Sequence, residues 1–310
     1  MGRQERRYEY LLLLVGSNPL PNYIASIILK PSRINLFYSL ETENVKNNLR
    51  DKLKDTLSEA QLEETYIDDV TSAAKVRQVF RAIPKSESVC LNYTGGTKVM
   101  AAHARMAFRD AGGTDAQAFY LDERKGMLRF DDGYEVVLER QNLPLTLDDI
   151  LALHGITTIS RNKPQTSDDP TEKDAGTIAK AVLNDPRLAE TLYLIHRDEN
   201  SRRISFEKAK KNTVNIYEVV PEGLSIQKLP EDNWNKKTYE NWLDFLGGRW
   251  MEIWCGAQVK KVVEDVDIVV GLNCKTDKGR QFEIDVAVVR GHRLYVISCT
   301  TDYKIGLCKS

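Results

Sequence analysis

The chain has 310 residues, a formal net charge of -1 and 29% charged residues. That length suits two domains, and the near-zero charge excludes a global basic field, so any nucleic-acid contact needs a local groove. The longest leucine run, Leu11–Leu14, is far short of a bilayer span and follows no signal-peptide pattern, so a cytoplasmic protein with no membrane partner is expected.

In chain order, residues 9–15 read as a buried parallel strand. A turn at Gly16-Ser17-Asn18-Pro19 leads into a helix through Ile24 to Leu29. Ile34 to Ser39 reads as a second strand, Val45 to Leu57 and Val70 to Ile83 as amphipathic helices, and Ser88 to Tyr93 as a third strand. After a glycine turn, Val99 to Phe108 is helical, and Ala118–Leu121, Met127–Phe130 and Tyr134–Leu138 are strands. This order predicts an α/β doubly wound sheet, whose ligands sit beyond the carboxyl ends of the strands.

Three of those ends carry small polar residues: Gly16-Ser17-Asn18, Ser39 and Thr94-Gly95-Gly96-Thr97-Lys98. The last is the most informative stretch. Glycines let backbone approach a ligand, and a helix start presents free N–H groups and partial positive charge to an anion. Thr94, Thr97 and Lys98 add two hydroxyls and a cation, which makes a phosphate-binding corner. The plain alternative is a tight strand-to-helix connection with Thr97 as cap. A Walker A loop does not fit, because Val99 follows Lys98 where Ser or Thr is required.

Residues 160–174 are rich in Ser, Thr, Pro, Asp, Asn and Lys and read as a linker between domains at 1–159 and 175–310. Ala175 to Arg197 is helical, with a turn between two helices at Leu183–Pro186. Trp242 to Trp254 reads as a buried helix broken at Gly247-Gly248, with Glu252 inside it. Val262–Leu272, Phe282–Arg290 and Leu294–Cys299 are strands, with a hairpin turn at Gly291-His292. Glu283 and Asp285 share a strand face by the period of two, and Asp285 lies in an apolar run, where a carboxylate is costly unless paired or bound to a cation. Mg²⁺ or Mn²⁺ suits such oxygens; a hairpin with a wet acidic face is the alternative. The five cysteines form no CxxC, which points to a reduced setting without a zinc site.

Thr94-Gly95-Gly96-Thr97-Lys98 after the first-domain sheet resembles the CARF domains of type III CRISPR defence. Gly247-Gly248-Arg249-Trp250-Met251-Glu252 and Glu283-Ile284-Asp285-Val286 resemble the PD-(D/E)XK-type nuclease of CARF-linked effectors. The resemblance implies a Rossmann-like sensing domain that binds cyclic oligoadenylate, most of all cyclic tetra-adenylate, joined to a restriction-endonuclease-like α/β domain. It implies a homodimer that cuts single-stranded RNA or DNA with Mg²⁺ or Mn²⁺. Gly16, Ser17, Asn18, Ser39 and Thr94 to Lys98 would hold the messenger; Glu252, Asp285 and Glu283 would hold metal; and Lys304 or Lys309 would supply the cation from beyond the strand. The chain departs from the pattern at Ser298-Cys299-Thr300, where the family has an acid, one residue and a lysine. An inactive messenger-binding regulator and a ring nuclease that degrades the messenger are therefore the rival expectations. A nuclease fold of this kind has a further helix after the last strand, so the domain is expected to lack its last elements after Ser310.

Overall fold

The computed structural model describes residues 6–83, 88–139, 143, 145–161, 168–194, 220–228 and 235–300. Trp234, Lys304, Cys308 and Lys309, and the predicted helix end at Arg197, lie outside them. The chain divides into two compact units: residues 1–157 with 276–280 and 291–294, and residues 158–275 with 281–290 and 295–310. No described helix is long and apolar enough to cross a membrane.

The first unit runs β1 (Tyr10–Leu14), α1 (Leu20–Leu29), β2 (Arg33–Tyr38), α2 (Glu43–Thr56), β3 (Gln61–Tyr66), α3 (Ala73–Arg81), β4 (Val89–Asn92), α4 (Lys98–Asp110), β5 (Ala118–Asp122), β6 (Met127–Phe130), β7 (Glu135–Val137) and α5 (Leu147–Leu153). Its sheet has the order β3-β2-β1-β4-β5-β6-β7. The pairings from β3 across to β5 are parallel, while β6 and β7 return antiparallel as a meander. This is the predicted doubly wound sheet, with its reversal of strand order between β1 and β4.

Leucines at 11 to 14 are wholly buried, because β1 is central and covered on both faces. On one face Leu12 and Leu14 pack with Phe37, Phe80, Leu91, Met100 and Phe108, and the Phe37 and Phe80 rings stack at 4.4 Å.

Strand β3 has no counterpart in the sequence reading, since Gln61-Leu62-Glu63-Glu64-Thr65-Tyr66 carries adjacent acids and little apolar signal. Tertiary partners hold it as an edge strand. Glu63 is paired with Arg33 and accepts from the Tyr10 hydroxyl at 2.9 Å; the Arg33 hydrogen bond outweighs burial and keeps the Glu63 carboxyl below its usual range. Glu64 takes Lys46 at 2.6 Å and Arg50 at 3.1 Å. Inward charge of this kind also guards an edge against pairing with another chain.

The second unit contains β8 (Ile156–Arg161, which begins at the boundary), α6 (Glu172–Asn184), α7 (Arg187–Leu194), α8 (Lys236–Asp244), α9 (Trp250–Val262), β9 (Asp267–Thr276), β10 (Gln281–Arg290) and β11 (Arg293–Ile297). Its sheet has the order β11-β10-β9-β8. Thr171 and Asp174 form a capping box at the start of α6. The core gathers Ala175, Ile178, Tyr239, Trp242, Phe245, Leu246 and Trp250, and the Trp242 indole N–H donates to the Asp168 carbonyl at 3.0 Å.

The predicted break at Gly247-Gly248 is a π turn over Phe245–Arg249, in which Gly248 adopts φ 152°. One boundary differs from expectation. Val262, predicted to open a strand, is the last residue of α9, and β9 begins at Asp267. Lys260 and Lys261 near the carboxyl end of α9 complement its dipole and extend the helix past Trp254.

Candidate functional sites: a backbone cradle and an acidic cleft

The turn between β4 and α4 is built from the inside. Asn92 ends β4 with no exposed surface and gives its Nδ2 proton to Asn22 Oδ1 at 3.0 Å. Asn22, equally buried on α1, donates from Nδ2 to the Leu14 carbonyl at 2.8 Å. Asn92 Oδ1 accepts from the Thr94 backbone N–H at 3.1 Å and from the Thr94 hydroxyl at 2.6 Å. The same hydroxyl accepts from the Leu121 N–H at 2.7 Å. One relay therefore ties the ends of β1, β4 and β5 to the turn. Sequence reasoning missed both asparagines; their signal was a polar amide inside the apolar stretches Cys90-Leu91-Asn92 and Asn22-Tyr23-Ile24-Ala25.

The glycines have separate jobs. A Cβ on Gly95 would lie 2.0 Å from the Leu14 carbonyl oxygen, and one on Gly16 would lie 2.7 Å from the Gly96 nitrogen. Gly95 and Gly16 are thus needed for backbone to pack on backbone. Gly96 supplies the left-handed kink at φ 76°. Thr97 caps α4 by accepting from the Met100 N–H at 3.1 Å and donates to the Val70 carbonyl at 3.3 Å.

The two threonine hydroxyls are therefore spent within the protein, because each has a single proton to give. The backbone N–H groups of Gly95, Gly96, Thr97, Lys98 and Val99 instead bond to no other described residue, which leaves them free to meet an anion. Lys98 is exposed, as are Ser17 and Asn18 on the adjoining turn. Ser39 is engaged with Thr42 in the capping box that follows β2, so it shapes the rim.

In the second unit, Glu252 on α9 faces the strand that bears Glu283 and Asp285. Burial first, then the charges of Asp285 and Glu283, push the Glu252 carboxyl up to about 7 against the opposing pull of Arg249. Its Oε2 is buried without a hydrogen-bond partner among the described residues. Asp285 Oδ2 accepts from the Cys299 N–H at 2.6 Å and from the Ser298 hydroxyl at 3.1 Å. The Cys299 thiol is pushed up to about 12, by burial first and then by Cys255 and Asp285.

Among the described residues no group of three or more His, Cys, Asp or Glu side chains is placed to hold a metal ion, so the three acids do not act as one ligand set. Asp285 is instead drawn toward the end of β11 by the groups of Ser298 and Cys299. What remains is one buried carboxylate oxygen, Glu252 Oε2, with no partner among the described residues. That donor suits a hard cation bound through one or two carboxylates, with water and phosphate completing its shell.

No family model matches the sequence, and no curated protein does. Solved structures do. Over 95% of this chain and 80% of the other, it is similar to Can2 from Sulfobacillus thermosulfidooxidans in complex with cyclic tetra-adenylate, with a TM-score of 0.69 and 18% identity. The chain has the Can2 fold. Protein VC1899 from Vibrio cholerae is similar at a TM-score of 0.66 and 14% identity, over 93% of this chain and 78% of that one. A type III CRISPR defence DNA nuclease activated by cyclic oligoadenylate is similar at 0.55 and 17%, over 95% of this chain and 40% of that one. The expected pairing of a Rossmann-like domain with a second α/β domain thus holds at the level of fold.

Proposed function

We propose that this chain is a sensor of cyclic oligoadenylate, cyclic tetra-adenylate foremost, linked to a nuclease activity in type III CRISPR antiviral defence. The similarity to Can2 across 95% of the chain is the observation that carries this. A phosphodiester of the messenger sits over the free N–H groups from Gly95 to Val99 at the start of α4, where the helix dipole favours an anion. Lys98 adds a mobile cation, and Gly16, Ser17 and Asn18 form the adjoining rim. A ring with rotational symmetry suits two such cradles about a two-fold axis, hence a homodimer. The ring activates by favouring one arrangement of the chain over another.

In the second unit Glu252 and Asp285 would hold Mg²⁺ or Mn²⁺, which when bound activates water and polarises a phosphoryl oxygen. Glu252, pushed up to about 7 in its buried setting without metal, would give up that proton as the cation binds. Ser298 and the Cys299 N–H orient Asp285. Lys304 would add the cation that the family places on the last strand. The substrate class is single-stranded RNA or DNA.

Calorimetry with cyclic tri-, tetra- and hexa-adenylate tests the sensor: the tetra-adenylate ring binds best, and Lys98→Ala weakens it about tenfold through loss of a charge-assisted contact. Equal binding by Lys98→Ala removes the lysine from the site. A cleavage assay with Mn²⁺ and the ring tests the second unit: Asp285→Ala lowers the rate about 100-fold.

The placement of Ser298 and Cys299 on Asp285 favours a second reading, a messenger-binding regulator that cuts nothing. It predicts full ring binding and no cleaved strand with any divalent metal.

A further inference from the structure

From the carboxyl ends of β2 and β3 we infer a second ligand subsite, a stacking platform for a purine base centred on Tyr66. It rests on the sensor function above and extends it to the base. Tyr38 and Tyr66 are register partners that end their strands, with ring centroids 5.7 Å apart and planes inclined by 61°. Tyr38 is fixed from its other side by Lys46 Nζ, 4.5 Å from the ring centroid, and that ammonium is itself neutralised by Glu64. Tyr66 is the outer ring of the pair and remains 48% exposed; Leu40, in the turn just after β2, is 73% exposed. A half-exposed tyrosine set edge-on against a braced neighbouring ring matches a flat, weakly polar ligand.

Its position selects a nucleobase. The platform lies at the same end of the sheet as the cradle, on β2 and β3, roughly 5 and 10 Å to the side of β1 at the usual strand spacing. The chain that leaves Tyr66 reaches the cradle directly, since the Val70 carbonyl accepts from Thr97, the cap of α4. Four residues span at most about 13 Å. The acids of that segment are engaged elsewhere: Asp68 pairs with Lys75, and Asp69 binds the Thr71 and Ser72 backbone. A nucleotide with its phosphate on the Gly95–Val99 donors therefore meets an aromatic face, not a carboxylate, at the reach of its own base.

The test compares cyclic tetra-adenylate with cyclic tetra-uridylate, which keeps the phosphates and reduces the π face. Affinity is measured by calorimetry for wild type, Tyr66→Ala and Tyr66→Phe, with mass by light scattering. Tyr66→Ala is expected to lose about 10- to 100-fold for the adenylate ring and clearly less for the uridylate ring, while Tyr66→Phe stays close to wild type. The platform is overturned if Tyr66→Ala binds the adenylate ring as wild type does or weakens both rings equally. It is also overturned if the variant instead changes the oligomeric state, which would make the patch an interface between copies. A wild type that binds neither ring overturns the cradle and the platform together, whereas unchanged binding by Tyr66→Ala alone overturns only the platform.

Discussion

Replacing Gly95 with alanine is expected to cost about 3 kcal/mol of stability, in the range of core overpacking, and to abolish messenger binding. The new Cβ would stand 2.0 Å from the Leu14 carbonyl oxygen. That oxygen cannot yield easily, because the buried Asn22 amide holds it at 2.8 Å and Leu14 ends the central strand. The turn must move outward, which pulls Thr94 from Asn92 and misaligns the unpaired N–H groups of the turn. Thermal unfolding of the first unit should shift down by about 10 °C, alongside loss of the calorimetric signal with cyclic tetra-adenylate. Gly96→Ala provides the contrast. Its Cβ meets only the Met100 side chain, whose sulfur lies nearest at 2.7 Å, and the left-handed backbone adds roughly 1–2 kcal/mol. Equal losses at the two positions would disprove the pinned-carbonyl explanation.

Glu252→Gln is expected to stabilise the metal-free protein at alkaline pH and to do nothing at pH 4. The carboxyl is held at about 7 in the folded chain against an ordinary 4.5. Folded protein thus keeps a proton that unfolded protein has already lost, so stability falls as pH rises from about 4.5 to 7 and stays low above that. The raw difference is about 3 kcal/mol; with partial solvent screening, about 2 kcal/mol is expected. In chelator at pH 8 the glutamine variant should melt roughly 4–8 °C higher than wild type. Mg²⁺ should close that gap by stabilising the wild type alone, because only the carboxylate gains from the cation. A gap that persists unchanged at pH 4 would mean that the gain comes from packing and that Glu252 is not a strained charge.

Local patterns in the chain carried a large part of the fold. The leucine run of β1, the strand–glycine–helix signature at residues 88–108 and the alternating acids of β10 each depend on near neighbours in sequence, and each forms as expected. Strand β3 was illegible for the opposite reason. Its adjacent acids give no strand periodicity, and only Arg33, Lys46 and Arg50, brought in from β2 and α2, make an edge strand of them. The start of β9 shifted because α9 continues through Val262.

The turn before α4 was visible as a corner, but its workings were not. Two glycines and two threonines look alike on paper; in the fold Gly95 packs on β1 and Gly96 makes the kink, while both hydroxyls are consumed by Asn92 and Val70. The asparagine relay joins residues 70 positions apart, a separation no local pattern encodes.

By itself, then, the sequence determined a doubly wound sheet with an anion-suited helix start and a second unit with acids on one strand face, because backbone periodicity and glycine chemistry are local. The tertiary structure alone decided which donors remain free at the cradle, that Asp285 is held by Ser298 and Cys299, and that Glu252 is left with an unpaired oxygen. Those outcomes depend on which groups long-range packing brings within hydrogen-bond distance and which it shuts away from water.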